Sequence, residues 1–447
     1  MRFSPHTPAE RGEMLQRIGV PSIDGLFADI PPDVRLGRPL RLPDGISEME
    51  VAKKVAALAA RNRTTADLVS FLGAGAYDRF IPAAVDEILR RADFYTAYTP
   101  YQPEVSQGTL QVIWEFQSMM ALLFEMDVAQ ASLYDGATAA AEGLMMAVGH
   151  TGRRRLVVLR SVDPETRGVV ATYGFGHDLE IVEVPLSGST TDIGAVREAL
   201  STETAALLVQ QPNFLGSLED LAALTEAAHS AGALIVVSHD PVAAAILKPP
   251  GAYGADIVVA EGQQLGIPLS FGGPYLGILT ARQDLVRRMP GRIAGATVDG
   301  TGRRGYVLTL QTREQHIRRE RATSNICTNQ ALLALAATVY LSVVGPGGLR
   351  QVEERSLAGA HALADALSAL PGVSRITERP FCHEFAVRLS RPAKDVNRAL
   401  LAHGILGGYP LVDAYPELGE GAWLVAVTEK RTDDEIATLV AKVGEAL

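Results

Sequence analysis

The chain is poor in cysteine, in lysine and in long apolar runs. Cys327 and Cys382 are the only cysteines among 447 residues, too few for a disulfide framework or a zinc ribbon, so a reducing cytoplasm is the expected compartment. Only six of the 41 basic residues are lysines. No uninterrupted apolar run approaches the roughly 20 residues of a membrane span. The first residues lack the apolar core of a secretory signal. We therefore expect no membrane partner.

Common catalytic motifs are also missing. The nine histidines are scattered, and none lies in an HExxH or CxxC frame, so no metal site is predicted. Neither the phosphate-binding GxxxxGK(S/T) loop nor the GxSxG elbow of α/β-hydrolases occurs. A net charge of −10 is atypical of a chain that binds nucleic acid.

Two glycine-rich segments are weak motif matches. Gly300, Gly302 and Gly305 form a GxGxxG, but the residues that follow, YVLTLQ, look like a strand where a dinucleotide site needs a helix. We interpret this segment as a flexible loop. The segment FLGAGAY (71–77) follows no clear strand and is interpreted as a tight turn with close backbone approach.

The middle of the chain alternates between helical patterns and short apolar runs. Continuous apolar runs separated by amphipathic helices are typical of a mostly parallel sheet covered on both faces, the α/β doubly wound arrangement. The runs lie at 155–160, 179–185, 205–212, 233–240, 256–262 and 276–282.

Three regions are predicted on this basis. Residues 1–65 form an N-terminal helical arm, in which Ser47 and Glu50 have the spacing of a capping box. Residues 66–330 form the large α/β domain. Residues 331–447, with a connecting helix, form a smaller C-terminal α+β domain built on a short antiparallel sheet.

Two segments of the large domain have the composition of a ligand site. Gly136, Ala137 and Thr138 open a helix, whose free N–H groups either accept a phosphate or simply pack closely. His239 and Asp240 follow a buried strand, at the edge where α/β sheets bind ligands. Asp240 either holds a protonated pyridine nitrogen or caps the following turn.

These features resemble the fold type I pyridoxal-phosphate enzymes. In that fold an Asp ends one strand and the Schiff-base lysine lies a short loop beyond the next strand. Here the corresponding loop holds Gln263 and Gln264, and an amide nitrogen is not nucleophilic. The resemblance implies the scaffold of such an enzyme, with Gln264 at the position of the lysine.

Four long segments narrow the resemblance to one family. They are YTPYQPEVSQGTLQVIWEFQ (98–117), LYDGATAAAEG (133–143), LKPPGAYGADIVVAEGQQLGIPLSFGGPYLG (247–277) and REQHIRRERATSNICTNQALLAL (313–335). Together they resemble the glycine cleavage system P-protein family, and more narrowly its N-terminal half, which is a separate chain in the split bacterial form.

The family resemblance implies a division of labour between two chains. A homologous second subunit carries the lysine and the pyridoxal phosphate, and the two form an α2β2 heterotetramer. The assembly is an oxidoreductase acting on the CH–NH2 group. It decarboxylates glycine and transfers the aminomethyl group to the lipoyl arm of the H-protein. The isolated chain is expected to be inactive.

The resemblance also implies residues that reach a site shared with the partner. Thr323, with Ser324 and Asn325 beside it, is expected to contact the phosphate of the partner's cofactor, although these residues could equally cap the following helix, TNQALLALAATVYL. The loop at 95–108 either lines the shared site or packs at the subunit interface. Its candidate residues are Tyr95, Tyr98, Tyr101, Glu104, Ser106 and Gln107. Gly136, Ala137, Thr138, His239 and Asp240 are then expected to line a vestigial pocket.

Two other functions remain open from the residues. An independent pyridoxal-phosphate transferase or lyase would need Lys248 as its Schiff base and would make Cys327 and Cys382 candidate sulfur carriers, although we expect Cys327 to be buried in its helix. A purely structural paralogue would leave the activity of the complex unchanged when Thr323 or Tyr95 is replaced.

Overall fold

The computed structural model describes residues 5–447. Two compact units divide between Arg63 and Thr64. The described α-helices are α1 (Pro8–Ile18), α2 (Glu48–Ala59), α3 (Ala83–Leu89), α4 (Ala92–Tyr95), α5 (Gln107–Phe124), α6 (Gly136–Thr151), α7 (Pro164–His177), α8 (Ile193–Ala199), α9 (Leu221–Ser230), α10 (Gln315–Arg318), α11 (Ala331–Ser368), α12 (Ala393–Ala402) and α13 (Asp433–Ala446).

The strands are short, and most lie in the second unit's two main sheets. In chain order they are β1 (Val69–Ser70), β2 (Val128–Ala129), β3 (Arg155–Leu159), β4 (Glu180–Val184), β5 (Leu186–Ser187), β6 (Thr190–Thr191), β7 (Thr204–Gln211), β8 (Leu234–His239), β9 (Ile257–Glu261), β10 (Gly277–Ala281), β11 (Ile293–Val298), β12 (Arg304–Thr309), β13 (Val373–Arg375), β14 (Glu384–Leu389), β15 (Ile405–Leu406), β16 (Tyr409–Pro410) and β17 (Ala422–Ala426). Short 3-10 helices occur at Ile23–Phe27, Pro103–Val105, Ala243–Ala245, Pro250–Tyr253, Gln283–Arg288, Gln311–Arg313, Arg319–Arg321, Leu411–Asp413 and Pro416–Leu418.

The first unit consists of α1, α2 and connecting turns. Ser47 caps α2, and its side chain and that of Glu50 exchange hydrogen bonds with each other's backbone N–H, which confirms the predicted capping box. Thr7 and Glu10 form the same motif at α1. In the described part of this unit neither helix contains a fully buried residue.

The second unit is built on a seven-stranded sheet of order β2-β10-β9-β8-β7-β3-β4. Strands β4, β3, β7, β8 and β9 pair in parallel, and β10 runs antiparallel to both of its neighbours. The six apolar runs in the sequence are strands of this sheet, so the prediction of a mostly parallel sheet is confirmed.

Helix α6 packs across the centre of that sheet. Its small residues permit the close approach, since a Cβ at Gly143 would lie only 3.3 Å from side-chain atoms of Val236 and Ile257. The first turn of α6 is thereby held beside the carboxyl ends of β8 and β9, where a fold of this type places its site.

The C-terminal part carries the predicted small antiparallel sheet, of order β13-β14-β17-β16. Strand β1 pairs in parallel with β15, so Val69 lies opposite Ile405. The segment 71–77 therefore does follow a strand, contrary to the interpretation from sequence. With two residues, β1 is recognisable only through its distant partner.

Helix α11 is kinked where Gly345 has a non-helical backbone (φ 61°, ψ 177°) before Pro346. By length and composition α11 could cross a membrane, a test that buried core helices also pass. The apolar part before the kink, 331–344, falls short of the roughly 20 residues of a span. Helix α11 packs against α3 and α5, so it is only a weak indication of a membrane segment.

The GxGxxG segment connects β11 and β12, which form an antiparallel hairpin. The Asp299 carboxylate accepts hydrogen bonds from the backbone N–H groups of Thr301 and Arg303 and so organises the turn. The interpretation of this motif as a loop followed by a strand is confirmed.

Candidate functional site

Asp240 lies directly after β8 and uses both of its carboxylate oxygens. Oδ1 accepts hydrogen bonds from the N–H groups of Val242 and Ala243, each at 2.8 Å, so the capping interpretation is confirmed. Oδ2 accepts a bond from Nε2 of Gln264 at 2.6 Å. Burial alone would raise the pKa of Asp240, but the positive charges of His383 and Arg79 outweigh it and lower that pKa.

Both the oxygen and the nitrogen of the Gln264 side-chain amide form hydrogen bonds. While its nitrogen donates to Asp240, its oxygen accepts a bond from Nε of Arg79 at 2.9 Å. The residue is 3% exposed. The side chain at the expected lysine position is therefore a structural link between two charged groups.

Arg79 is the centre of a buried ionic network that the sequence did not suggest. Its Nη1 donates to Glu429 at 2.8 Å and to Ser356 at 2.7 Å, and its Nη2 lies 3.6 Å from Glu353. The pKa of Arg79 is raised, because the carboxylates of Glu353 and Glu429 outweigh the effect of burial, which alone would lower it. His383 contacts the same Glu353 carboxylate at 2.9 Å.

The glycine-rich turn at 71–77 brings the backbone against Glu384. The Glu384 carboxyl accepts bonds from the N–H of Ala74 at 2.7 Å and the hydroxyl of Tyr77 at 2.9 Å. A Cβ at Gly73 would fall 2.2 Å from Oε1 of Glu384, so only glycine fits there. The predicted close approach is confirmed, and burial raises the pKa of Glu384.

The first turn of α6 already holds an acidic side chain of this chain. The N–H of Gly136 donates to Oε2 of Glu261 at 2.9 Å, and a Cβ at Gly136 would lie 2.8 Å from the Glu261 Cβ. Asp135 accepts a bond from the N–H of Thr138 at 2.7 Å. Burial raises the pKa of Glu261 to about 7. Gly136, Ala137 and Thr138 therefore form a helix N-terminus occupied by carboxylates.

The pocket beside these residues does not fit pyridoxal phosphate. Three places that a fold type I chain would need are occupied: the lysine position by Gln264, the Asp240 carboxylate by its hydrogen bonds, and the α6 N-terminus by Glu261. The cavity is about 80 Å³. His239 lines it, with Nδ1 donating to the Asp240 carbonyl at 2.7 Å, and burial lowers the pKa of His239. Of the five residues expected to line a vestigial pocket, His239 and Asp240 line this cavity, together with Gln264. Gly136, Ala137 and Thr138 are not in its lining.

Lys248 is not part of this cavity lining. Its side chain is exposed, and its ammonium lies 4.2 Å from the centre of the Tyr253 ring. The alternative that Lys248 forms a Schiff base in an independent enzyme is therefore not favoured.

The aromatic loop, defined as residues 95–107, is largely exposed. Tyr95 is 69% and Tyr98 is 92% exposed, and both line a second cavity. Tyr101 lies edge-on to His316. Glu104 is exposed and Ser106 half-buried.

Gln107 has a different environment from the rest of the aromatic loop. Its amide donates to the carbonyl of Tyr306 and accepts from the N–H of Tyr306, each at 2.9 Å. It therefore anchors the β11–β12 hairpin. Tyr98, Val105 and Tyr95 are the large apolar side chains that the loop exposes most.

Thr323, Ser324 and Asn325 line a third cavity, of about 370 Å³, which also contains Glu142 and Tyr173. Helix α11 begins only at Ala331 with Gln330 as its N-cap, so the interpretation of Thr323–Asn325 as a helix cap is wrong. Within residues 5–447 the Thr323 hydroxyl makes no hydrogen bond. The structure thus places Thr323–Asn325 in one cavity and the tyrosines of the aromatic loop in another.

Cys327 is exposed and precedes α11, so the expectation that it is buried in a helix is wrong. The side chain of Asn329 explains why the helix starts late. Its Oδ1 accepts from Arg292 at 2.8 Å, and its Nδ2 donates to Ser132 at 2.9 Å. These contacts hold the chain before α11 in a non-helical conformation.

Glu142 is a buried carboxyl group beside Ser324. Burial raises its pKa to about 7, and interactions with the Ser324 and Tyr173 hydroxyls partly offset that rise. His177, Arg319 and Glu320 line the same cavity. The folded-state pKa exceeds the ordinary 4.5, so the contribution of Glu142 to stability is fully present below about pH 4.5 and is lost as the pH rises through about 7.

We expect Glu142→Gln to flatten this pH dependence. Between pH 5 and pH 8 the native chain should lose about 2 kcal/mol more of its free energy of unfolding than the variant does, because the neutral amide does not ionise. Urea unfolding of the full chain at both pH values measures this. Glu320→Gln, at a side chain 78% exposed, is the matched control and should show no such gain. Parallel pH profiles for Glu142→Gln and the native chain would contradict the expectation.

Metal ligands do not cluster in the described ranges: no group of three or more His, Cys, Asp or Glu among residues 5–447 is arranged to hold an ion.

Comparisons with known proteins agree over the whole length. The family model described as "Glycine cleavage system P-protein" matches residues 1–443. A "Probable glycine dehydrogenase (decarboxylating) subunit 1" of Desulforamulus reducens is 52% identical over 444 residues, with 99% of each chain covered. The protein of the same name from Thermomicrobium roseum is 52% identical over 448 residues, with both chains fully covered.

Solved structures give the same result. A glycine decarboxylase (P-protein) of the glycine cleavage system superposes with a TM-score of 0.91 at 44% identity, and each chain is fully covered. The glutamate decarboxylase of Lactobacillus brevis, at 14% identity and a TM-score of 0.68, shares the fold alone, with 93% of this chain and 95% of that one covered. The predicted fold type I scaffold is confirmed.

Proposed function

The chain belongs to the glycine cleavage system P-protein family, and from that premise we propose that it is the first of two subunits of a glycine decarboxylase. It is an oxidoreductase subunit of the glycine cleavage system, glycine dehydrogenase (decarboxylating). The observation that carries the proposal is Gln264, which replaces the lysine and is held by Asp240 and Arg79 in a pocket that does not fit the cofactor.

A partner subunit supplies what this chain lacks. The name "subunit 1" carried by its relatives supports a second chain, and the fold supports pyridoxal phosphate as the cofactor of the assembly. We place that cofactor, which stabilises the carbanion left when glycine loses carbon dioxide, on the partner. The assembly is an α2β2 heterotetramer that delivers the aminomethyl group to the lipoyl arm of the H-protein. Two free thiols support a location in the reducing cytoplasm.

The contribution of this chain is to the site shared with its partner. The free hydroxyl of Thr323 is a donor for the phosphate of the partner's cofactor, and the exposed tyrosines of the aromatic loop cover the site and exclude water. No step of the reaction runs through the vestigial pocket of this chain.

The function is tested by reconstitution. The purified chain, its partner subunit and lipoylated H-protein are mixed with pyridoxal phosphate and carboxyl-labelled glycine, and released carbon dioxide is measured. Release should need both subunits, and this chain alone should give none. Full activity of the partner without this chain would contradict the proposal.

Replacement of Thr323 by Val tests the shared site. Loss of a hydroxyl that donates to a charged phosphate should weaken cofactor retention by the reconstituted complex about ten-fold or more, without loss of assembly. Retention is measured by dialysis and cofactor absorbance, and assembly by light scattering.

Thr297→Val is the matched control, because Thr297 is exposed in the β11–β12 hairpin. It should retain cofactor normally. Unchanged retention in Thr323→Val would remove the phosphate role, and unchanged activity in both Thr323→Val and Tyr95→Ala would favour a purely structural subunit.

A further inference from the structure

Arg292 is a buried cation between the aromatic loop and the segment before α11. Arg292 is only 4% exposed. Nη1 donates to Oδ1 of Asn329 at 2.8 Å, and Nη2 donates to the carbonyl of Cys327 at 2.6 Å. A longer contact of 3.4 Å joins Nη2 to the Thr99 hydroxyl. All of these partners are neutral.

The charge of Arg292 is left without a counter-ion. In the described chain no carboxylate pairs with it, and its Nε is buried without any hydrogen-bond partner. Buried cations are normally paired with an anion, because removal of a charge from water is costly. An anion from outside the chain would meet that need.

Arg313, a buried arginine nearby, shows that neutral groups can accept hydrogen bonds from every nitrogen of a guanidinium. Its Nε and both terminal nitrogens donate to the backbone carbonyls of Leu310, Met289 and Gly291. No such arrangement is present for Arg292, whose Nε is left without an acceptor.

Arg292 lines a cavity of about 150 Å³. Polar groups in its lining include Thr99, Thr328 and Asn329, and Tyr95 and Tyr98 form part of its wall. The planar guanidinium matches a carboxylate in geometry, and threonine hydroxyls are further donors. The cavity has room for a small carboxylate.

We propose that this cavity binds a carboxylate group paired with Arg292. The source of the group rests on the proposed function: it is either the carboxylate of glycine at the shared site or an acidic side chain of the partner subunit. Both offer the same chemistry to Arg292, and Tyr95 and Tyr98 border the bound group.

Binding is tested first on the full chain with acetate as the probe. In a chloride-free buffer, calorimetry should detect acetate binding that Arg292→Met weakens at least about ten-fold, since it removes a charged hydrogen-bond donor. Methylamine, which lacks a carboxylate, should not bind. Arg292→Lys, which keeps the charge but loses the planar fork, should bind acetate with intermediate affinity. Arg288→Met, at an exposed position, is the matched control and should bind like the native chain.

The reconstituted complex then identifies the source. If the group is glycine, Arg292→Lys should raise the KM for glycine with a smaller change in kcat. If it is a side chain of the partner, the same variant should weaken subunit association and leave the glycine KM unchanged.

Three results would overturn the proposal: equal acetate affinity in Arg292→Met and the native chain, chloride binding at Arg292 as tight as acetate binding, or no effect of Arg292→Lys on acetate affinity, KM and association. The acetate measurement needs no activity, so it separates failure of this site from failure of the proposed function.

Discussion

When the isolated chain is incubated with pyridoxal phosphate and then reduced with borohydride, its mass should not increase by one cofactor per chain. The reason is the set of contacts around Gln264: its amide is held between Asp240 and Arg79, and the α6 N-terminus that would accept the phosphate is occupied by Glu261. Intact-mass spectrometry and the near-ultraviolet spectrum measure the result. The partner subunit, treated identically, should gain one cofactor per chain.

The six lysines of the chain provide the internal control for this experiment. Slow labelling of exposed lysines gives a substoichiometric spread of sites, whereas a specific site gives one adduct per chain. A single stoichiometric adduct at Lys248 would contradict the assignment and restore the independent enzyme.

Gln264→Lys should also remain without cofactor. The new ammonium would replace an amide oxygen that accepts a hydrogen bond from Arg79, so two positive charges would meet in a buried site. Glu261 would still occupy the first turn of α6. We expect lower stability and no reducible adduct, and stoichiometric labelling at residue 264 would show that the lysine alone was missing.

Arg79→Met should cause the largest loss of stability, about 3–5 kcal/mol, because it leaves buried carboxylates uncompensated. Glu353 is fully buried and Glu429 nearly so, and Asp240 lies in the same network. Urea unfolding of the full chain at pH 8 measures the loss.

The matched control for this loss is Arg197→Met. Arg197 and its partner Glu226 are 57% and 60% exposed, and exposed pairs contribute below about 1 kcal/mol. Equal stability losses in the two variants would mean that the buried network contributes no more than a surface ion pair.

The sequence predicted the large sheet well because each of its strands can be recognised from neighbouring residues alone. Each buried parallel strand, such as β7 or β8, is a continuous apolar run that needs no distant partner to be recognised. Strand β1 was missed for the opposite reason: its two residues become a strand only beside Ile405 and Leu406, more than 300 positions away.

The candidate site was predictable only for residues that directly follow successive strands along the chain. Asp240 and Gln264 follow successive strands of the sheet, so both could be picked out from the sequence, and a hydrogen bond joins them in the structure. Arg79, Glu353 and Glu429 come from distant segments, and each alone looks like an ordinary surface charge. The same holds for Arg292, whose neutral partners Asn329 and Thr99 carry no charge pattern in the sequence.

The exposure of Cys327 makes the chain a reporter of its own assembly. Cys382 is buried, and burial raises the pKa of its thiol well above the ordinary value, so a maleimide dye should modify one position alone. The dye would sit next to the backbone carbonyl that Arg292 holds. Arrival of a second polypeptide could then be timed by fluorescence, without any engineered cysteine.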